Sequence, residues 1–385
     1  MYSRREVVVP KPMAAFIYST EMERYHYPDE CPFNTRRAGL TRARCDSMGL
    51  LDGSDRVEVE PVMATRSEAA WYHVPRYLDA LQRADEGHFG AEEFSMGLGT
   101  ADCPVFCGMY PGALLASGAS ITGARLILSG EAMRVFNPSG GLHHAHADHA
   151  SGFCYINDIV LAAMTLASAG KRVLFLDIDV HHSDGVQHAF WTRRDVMTVS
   201  LHESGKTLFP GTGSEDEIGE GDGRGYSVNI PLPVGTYDAI YLKAFREAAL
   251  PLIKAFNPDV LIVEVGMDTL AGDPMAHLHL TNNVAVDVME AVMALGKPML
   301  VTGGGGYNVP NTVRGWALVW SVLCGDHLDA MMYGMGGVMM ENTDWAGGLR
   351  DRVLLSDAGR RGEVDREVEE SIRRVQSLVF PLHGL

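Results

Sequence analysis

Along this chain, short uninterrupted apolar runs alternate with longer stretches in which apolar residues recur at helical spacing. The runs at 14–19, 132–137, 173–176, 196–202, 226–232, 259–265 and 298–302 read as strands. Helical spacing covers 36–50, 71–83, 108–128, 157–169, 184–191 and 282–295, with Asn157 as a cap and Gly170 just past the end of its helix. Leu242, Phe245, Ala249, Leu252 and Phe256 fall on one further helical face, which Pro251 is expected to kink or shorten. Strands that are apolar throughout and alternate with helices imply a parallel sheet covered on both faces. The expectation is a single α/β domain over 14–325, preceded by an irregular arm at 1–13. A C-terminal extension at 326–385 is Met- and Gly-rich through Met340 and ends in a helix with Val364, Val368, Ile372 and Val375 on one side. That stripe leaves open whether the helix covers the domain or a second subunit, and the oligomeric state is not set by the sequence.

Composition narrows the partners. The net charge of −17, from 49 acidic and 32 basic side chains, argues against a nucleic-acid binder, which needs clustered Lys and Arg. It favours cationic substrates such as Lys-bearing peptides or polyamines. The six cysteines are scattered; Cys103 and Cys107 are close, but no second pair completes a zinc knuckle. No secretory apolar segment opens the chain and no apolar run reaches membrane-spanning length, so the expectation is a reduced, cytoplasmic protein with no membrane partner.

The chemistry gathers after the apolar run at 173–176, which leads into Asp177, Asp179 and His181, spaced two apart. Read as a strand end, that spacing puts all three on one face. Two carboxylates and an imidazole crowded there are costly without compensation, and a cation supplies it. In open parallel sheets ligands bind beyond the carboxyl ends of strands. Four polar clusters fall at such ends: His143-His144, the group from Asp177 to Asp184, Asp268, and the glycine run that ends in Tyr307. Asp179, His181 and Asp268 would leave open metal positions for water and substrate, as in catalytic zinc, although Asp268 alone reads equally well as a cap. Asp177 and Asp184 are available to orient one imidazole each. The Tyr307 hydroxyl, behind four glycines, would meet developing negative charge. The glycine run lacks the Lys-Ser/Thr of a phosphate loop.

These residues resemble the arginase/deacetylase superfamily, specifically its zinc-dependent histone-deacetylase-like amidohydrolases and their bacterial acetoin-utilisation (AcuC) branch. The likeness lies in Pro32-Phe33-Asn34-Thr35-Arg36-Arg37, in Gly97-Leu98-Gly99-Thr100-Ala101-Asp102-Cys103-Pro104-Val105-Phe106, and in Gly140-Gly141-Leu142-His143-His144. It continues through Ser151-Gly152-Phe153-Cys154-Tyr155-Ile156-Asn157-Asp158, the Asp177 segment, Leu208-Phe209-Pro210-Gly211-Thr212-Gly213, Gly266-Met267-Asp268 and the run to Tyr307.

The resemblance implies one Zn2+, or Fe2+, with a bound water on Asp179, His181 and Asp268. It pairs His143 with Asp177 and His144 with Asp184, makes His144 the general base, and has Tyr307 bind the acyl carbonyl. Phe153 and Phe209 would wall a tube for an acyl-lysine side chain, with Gly152, Met275 and Gly305 also contacting substrate and Asp102 holding its backbone at the rim. Arg37 would border an acetate channel. K+ is implied near Asp177, Asp179, His181, Ser200 and Leu201, with a second site involving Phe190, Val196 and Tyr226. The implied activity is deacylation of acyl-lysine in a protein or peptide, linked through the acetoin-utilisation branch to control of an acetyl-CoA-forming synthetase. Alternatives are hydrolysis of acetylpolyamines or another small amide, and non-catalytic acyl-lysine binding. An arginase-type two-metal site would need a second full set of carboxylate ligands, which is not found in the sequence. The chain departs from the family pattern at Ser183, at Ala145-His146-Ala147-Asp148-His149, at Met267-Asp268-Thr269 and around 275–279.

Overall fold

The computed structural model describes residues 14–326, 348–352, 354 and 358–385. The expected arm at 1–13 and the Met- and Gly-rich stretch at 327–340 lie outside them. The strands are β1 (Ala14–Ile17), β2 (Arg56–Val59), β3 (Arg134–Asn137), β4 (Val173–Asp177), β5 (Val196–Glu203), β6 (Ser227–Leu232), β7 (Val260–Glu264) and β8 (Met299–Thr302). They form one eight-stranded sheet in the order β2-β1-β3-β8-β7-β4-β5-β6. Every pairing between strands is parallel.

Alternation along the buried strands divides the core in two. Leu174 and Leu176 of β4 face one layer, built with the helices Asn283–Met293 and Val309–Cys324 and closed by Trp316 and Trp320. Val173 and Phe175 face the other, built with Met109–Ser129 and Asp158–Ser168. By length and composition alone Met109–Ser129, within the stretch expected to be helical, could cross a membrane; here most of it is buried inside the protein, against the sheet. The terminal helix Ala358–Val379 lays Val368, Ile372 and Val375 into the first layer, so its apolar stripe covers the domain itself.

Several elements differ from the sequence reading. The helix expected from Trp71 starts at Pro75, because proline suits the first helical turn and disfavours helix in the residue before it. Pro251 falls in the first turn of a separate α-helical segment, so regular α-helix is interrupted ahead of it as expected. The segments Asp238–Ala244 and Leu250–Phe256 run on through a π-helical turn at Phe245–Ala249, where wider spacing accommodates the ring. Strand β2 and the helix Val309–Cys324 were not anticipated. The former is a four-residue edge strand with two charged side chains and so carries little strand signal.

The strand order positions the functional residues. The chain runs outward through β4, β5 and β6, then returns to insert β7 and β8 between β3 and β4. Asn137, Thr302, Glu264, Asp177, Ser200 and Asn229 are thereby paired in one continuous register across six strands. Residues in register point to one face, so this is a polar row at the carboxyl edge of an apolar sheet.

The loop after β3 is pinned to the helix Asp158–Ser168. Asp158 accepts the Gly141 N–H (3.1 Å), the Leu142 N–H (2.7 Å) and the Ser120 hydroxyl (2.5 Å). Asn157 caps the same helix through the Val160 N–H and donates to the carbonyls of His143 and Ala145. Replacing Asp158→Ala leaves buried donors without acceptors and is expected to cost about 3 kcal/mol of stability. Urea unfolding checks this, and a variant as stable as the wild type would show that the loop is held elsewhere.

Candidate active site

Four adjacent strands, β3, β8, β7 and β4, deliver polar residues from their carboxyl ends into one crevice. Strand β4 stops at Asp177, so Asp179 and His181 do not share a face through strand alternation as the spacing suggested. They converge because each aspartate folds back on the chain. Asp177 Oδ1 accepts the Asp179 N–H and Asp179 Oδ1 accepts the His181 N–H, both at 2.9 Å.

Asp179, His181 and Asp268 are buried, with ligand-type atoms all within 4.8 Å of one another. His181 Nδ1 lies 3.2 Å from Asp179 Oδ1 and 3.1 Å from Asp268 Oδ2. Val180 N–H donates to Asp268 Oδ1 at 3.0 Å and Gly305 N–H to Asp179 Oδ2 at 2.6 Å. A Cβ on Gly305 would run into Asp268. Gly305, expected as a substrate contact, therefore helps build the cage around these three residues.

The electrostatics fit a bound cation. Burial would lower the His181 imidazole, yet Asp179 and Asp268 push it up to about 10. Burial and neighbouring Asp179 push Asp268 up to about 7 against the pull of His181. Burial opposes ionisation of Asp179 as well, but bonds from His181 and the charge of His143 hold it below the usual carboxylate range. Two acids sharing one positive charge, with one nitrogen and two oxygen donors converging, match a three-ligand catalytic metal site.

A second buried group lies alongside. His143 Nδ1 is 3.2 Å from Asp177 Oδ2 and 3.1 Å from Glu264 Oε1, and these residues too could hold a metal ion. The sequence shows no second full set of carboxylate ligands; the structure adds one carboxylate, Glu264, beside His143 and Asp177. Glu264 reads as an ordinary residue of a buried strand until register sets it beside Asp177. Burial lowers His143, but Glu264 and Asp177 outweigh it and hold the imidazole well above its ordinary value.

His144 is set differently. Its Nδ1 is 2.7 Å from Asp184 Oδ1, and its Nε2 is 3.0 Å from His143 Nε2. Burial pushes it down to about 4, with the His143 charge adding to the fall and Asp184 opposing it. Two adjacent imidazoles are thus driven apart, one towards the free base and one towards the cation. Ser183, ahead of Asp184, has φ −77° and is accommodated there without strain.

The Tyr307 ring stands 5.7 Å from Phe153 and 6.4 Å from His181, centroid to centroid. Burial raises its phenol well above the ordinary value, so it is held as a hydroxyl donor. The turn that carries it is held through its backbone N–H groups. Asp273 accepts the N–H groups of Tyr307 (2.7 Å) and Asn308 (3.1 Å), and that of half-buried Met275 (2.9 Å). No motif in the sequence marks Asp273 for this task.

Arg37 braces the glycine run from the other side, donating to the carbonyls of Gly306 (2.8 Å) and Gly304 (3.0 Å). With Tyr27, Phe33, Leu142 and Trp316 it lines an apolar cavity. Phe153 is buried at φ +64°, while Phe209 is exposed with its ring 4.9 Å from His144. Gly152 lies against His144. Asp102, expected to meet substrate at the rim, accepts the Gly152 N–H at 2.9 Å and the Thr100 hydroxyl at 2.7 Å. Ser200, with its hydroxyl 3.4 Å from Asp177 Oδ2, and buried Leu201 follow one another on β5 beside β4. Val196 opens β5 and Tyr226 precedes β6, so with Phe190 they lie towards the opposite end of those strands.

Zinc added to chelator-treated protein is expected to raise its melting temperature, since 100-fold excess over Kd contributes about 2.7 kcal/mol. Asp268→Ala should abolish the rise in a calorimetric scan; a rise of wild-type size would exclude Asp268 as a ligand.

Residues 31–323 match the histone deacetylase domain family. Acetoin utilization protein AcuC of Bacillus subtilis is 40% identical over 315 residues, spanning 80% of this chain and 81% of that protein. Histone deacetylase 8 of Xenopus tropicalis is 38% identical over 297 residues, spanning 77% and 80%. The crystal structure of a histone deacetylase homolog from Aquifex aeolicus superposes with a TM-score of 0.84 at 29% identity, covering 94% of this chain and all of that one. With a parallel sheet, a buried donor set at its carboxyl edge and matches of this length, the chain belongs to the histone deacetylase domain family.

Proposed function

We propose that this protein is a zinc-dependent lysine deacylase that hydrolyses the side-chain amide of acyl-lysine in proteins or peptides. The observation that carries the reading is the imidazole pair beside the donor set. The two Nε2 atoms are 3.0 Å apart, with His144 Nδ1 on Asp184 and His143 Nδ1 between Asp177 and Glu264. Neighbouring titratable groups whose environments drive them in opposite directions mark the acid and the base.

Zinc held by Asp179, His181 and Asp268 would polarise the acyl oxygen and lower the pKa of its water to ~7. His144, a free base at neutral pH, takes the water proton at Nε2, while Asp184 on Nδ1 steadies the resulting cation. Tyr307 donates its hydroxyl to the acyl oxygen as negative charge develops there. His143, kept charged by Glu264 and Asp177, is placed to give the leaving amine its proton. Phe153 and Phe209 would flank the lysine methylenes. Arg37 and its apolar cavity offer the released carboxylate a path. K+ would sit on oxygens of Asp177, Asp179, His181, Ser200 and Leu201, with a second ion near Phe190, Val196 and Tyr226. The acetoin-utilisation relative supports an acetyl-CoA-forming synthetase as one substrate to test.

Tyr307→Phe is expected to fold normally and lose about 10²- to 10³-fold in kcat on an acyl-lysine peptide; an unchanged kcat would remove the hydroxyl from the reaction. A panel of acyl-lysine peptides and acetylputrescine, assayed with and without chelator, tests the reaction class. Chelator-sensitive turnover of the peptides that His144→Ala abolishes is the expected result. Turnover of acetylputrescine alone would move the assignment to a polyamine amidohydrolase, and no turnover of either to a binding protein.

A further inference from the structure

The terminal helix Ala358–Val379 carries two stripes. Val364, Val368, Ile372 and Val375 are buried against the domain. Glu367, Glu370, Ser371 and Arg374, at spacings of three and four, share a second face. That face borders a cavity of about 590 Å³, whose other walls come from the 204–217 segment and the end of β6.

Two features of the cavity point to an occupant. Ser371 is 3% exposed, and its hydroxyl has no hydrogen-bond partner, although a helical serine can turn back onto the carbonyl four residues before it. A buried hydroxyl left unpaired costs free energy unless something in the cavity completes it. The charges are also unbalanced. Glu217 is spent on its own loop, accepting the Gly213 and Ser214 N–H groups (2.9 and 3.0 Å) and the Gln187 amide (2.7 Å). Arg374 donates to Asp216 at 2.6 Å. That leaves Glu215, Glu367 and Glu370 lining the cavity with one cation, Lys206, and among the described residues none of the four is ion-paired.

The acids suit an organic cation rather than a metal ion. They stand on separate elements, and among the described residues the donor groups close enough to hold an ion both lie in the active site. We propose that this cavity binds primary ammonium groups of a flexible organic cation, a free polyamine or a lysine side chain of a peptide substrate. An ammonium N–H donates to Ser371 Oγ, and the charge sits among Glu215, Glu367 and Glu370.

One loop connects the cavity to the candidate active site. Residues 204–206 and 211–213 line the cavity, and Phe209 lies between them with its ring 4.9 Å from His144. The loop is compact, since a Cβ on Gly205 would meet the backbone of Gly211 and Thr212. The Thr212 hydroxyl lies 2.8 Å from His182 Nδ1. An ammonium group in the cavity is therefore held behind the loop that carries Phe209. The assignment of a substrate lysine as its source rests on the deacylase reading; the binding itself does not.

The test titrates spermidine into the zinc-loaded full chain by calorimetry. One-to-one binding that weakens with salt is expected. Glu367→Gln with Glu370→Gln should weaken it about tenfold, the upper range for two exposed ion pairs. Glu131→Gln with Glu290→Gln, exposed acids elsewhere, should leave it unchanged. Equal weakening by both pairs would spread the cation over the acidic surface, and no weakening by the first pair would put it in another site; either result overturns the proposal. Ser371→Ala should weaken binding about fivefold. Without spermidine it should melt no lower than wild type, because the hydroxyl it removes has no partner. Unchanged affinity in Ser371→Ala likewise overturns the proposal. Acyl-lysine peptides with Lys or Gln beside the acylated residue identify the source. If a substrate lysine is bound, the Glu367→Gln and Glu370→Gln pair raises KM for the Lys peptide alone at unchanged kcat, and spermidine competes with that peptide. If a free polyamine is bound, neither KM moves while the calorimetric loss remains. A chain that hydrolyses neither peptide would sink the deacylase reading and leave the calorimetric result standing.

Discussion

Burying carboxylates at the end of a parallel sheet is the constraint from which the rest of this structure follows. Asp177, Asp179, Glu264 and Asp268 are removed from water within a few residues of the ends of β4 and β7. An isolated buried carboxylate is prohibitive, so each must find positive charge or N–H groups. The backbone supplies part of this through the N–H groups of Asp179, Val180, His181 and Gly305. Imidazoles supply more, with His181 between Asp179 and Asp268 and His143 between Asp177 and Glu264. A dication suits the first of these groups.

Compensation on this scale needs rigid loops, and the loops are irregular backbone with few partners of their own. Single buried or half-buried side chains hold them: Asp158 the turn before His143, Asp273 the amides at Tyr307, and Arg37 the carbonyls of Gly304 and Gly306. Close approach does the rest. Gly141, at φ +93°, lies so near Gly303 and Gly304 that a side chain there would meet their backbone. The two loops that carry His143 and Tyr307 therefore touch main chain to main chain, which glycine permits.

The same crowding separates the two histidines. His144 shares its space with a charged neighbour and one partly exposed carboxylate; His143 lies between two deeply buried ones. Their difference is a property of position, since the side chains are chemically the same and adjacent in the chain.

The apolar runs and helical periods of the sequence determined most of this fold on their own. Strands buried on both faces cannot avoid long apolar runs, and a parallel sheet is what such runs build when helices alternate with them. The Asp177 to His181 segment likewise betrayed itself, because charge placed directly after a buried strand has few other uses. Where the sequence offered no sign, the signal was weak or not local: β2 is short and charged, and Asp273 looks like any loop acid. Tertiary structure alone decided which strands are neighbours. With β7 and β8 inserted between β3 and β4, Glu264 comes beside Asp177, Asp268 beside His181, and one carboxylate of Asp184 between His144 and His146. Register and strand order are set by the global packing of helices on the sheet, and no local stretch of residues encodes them.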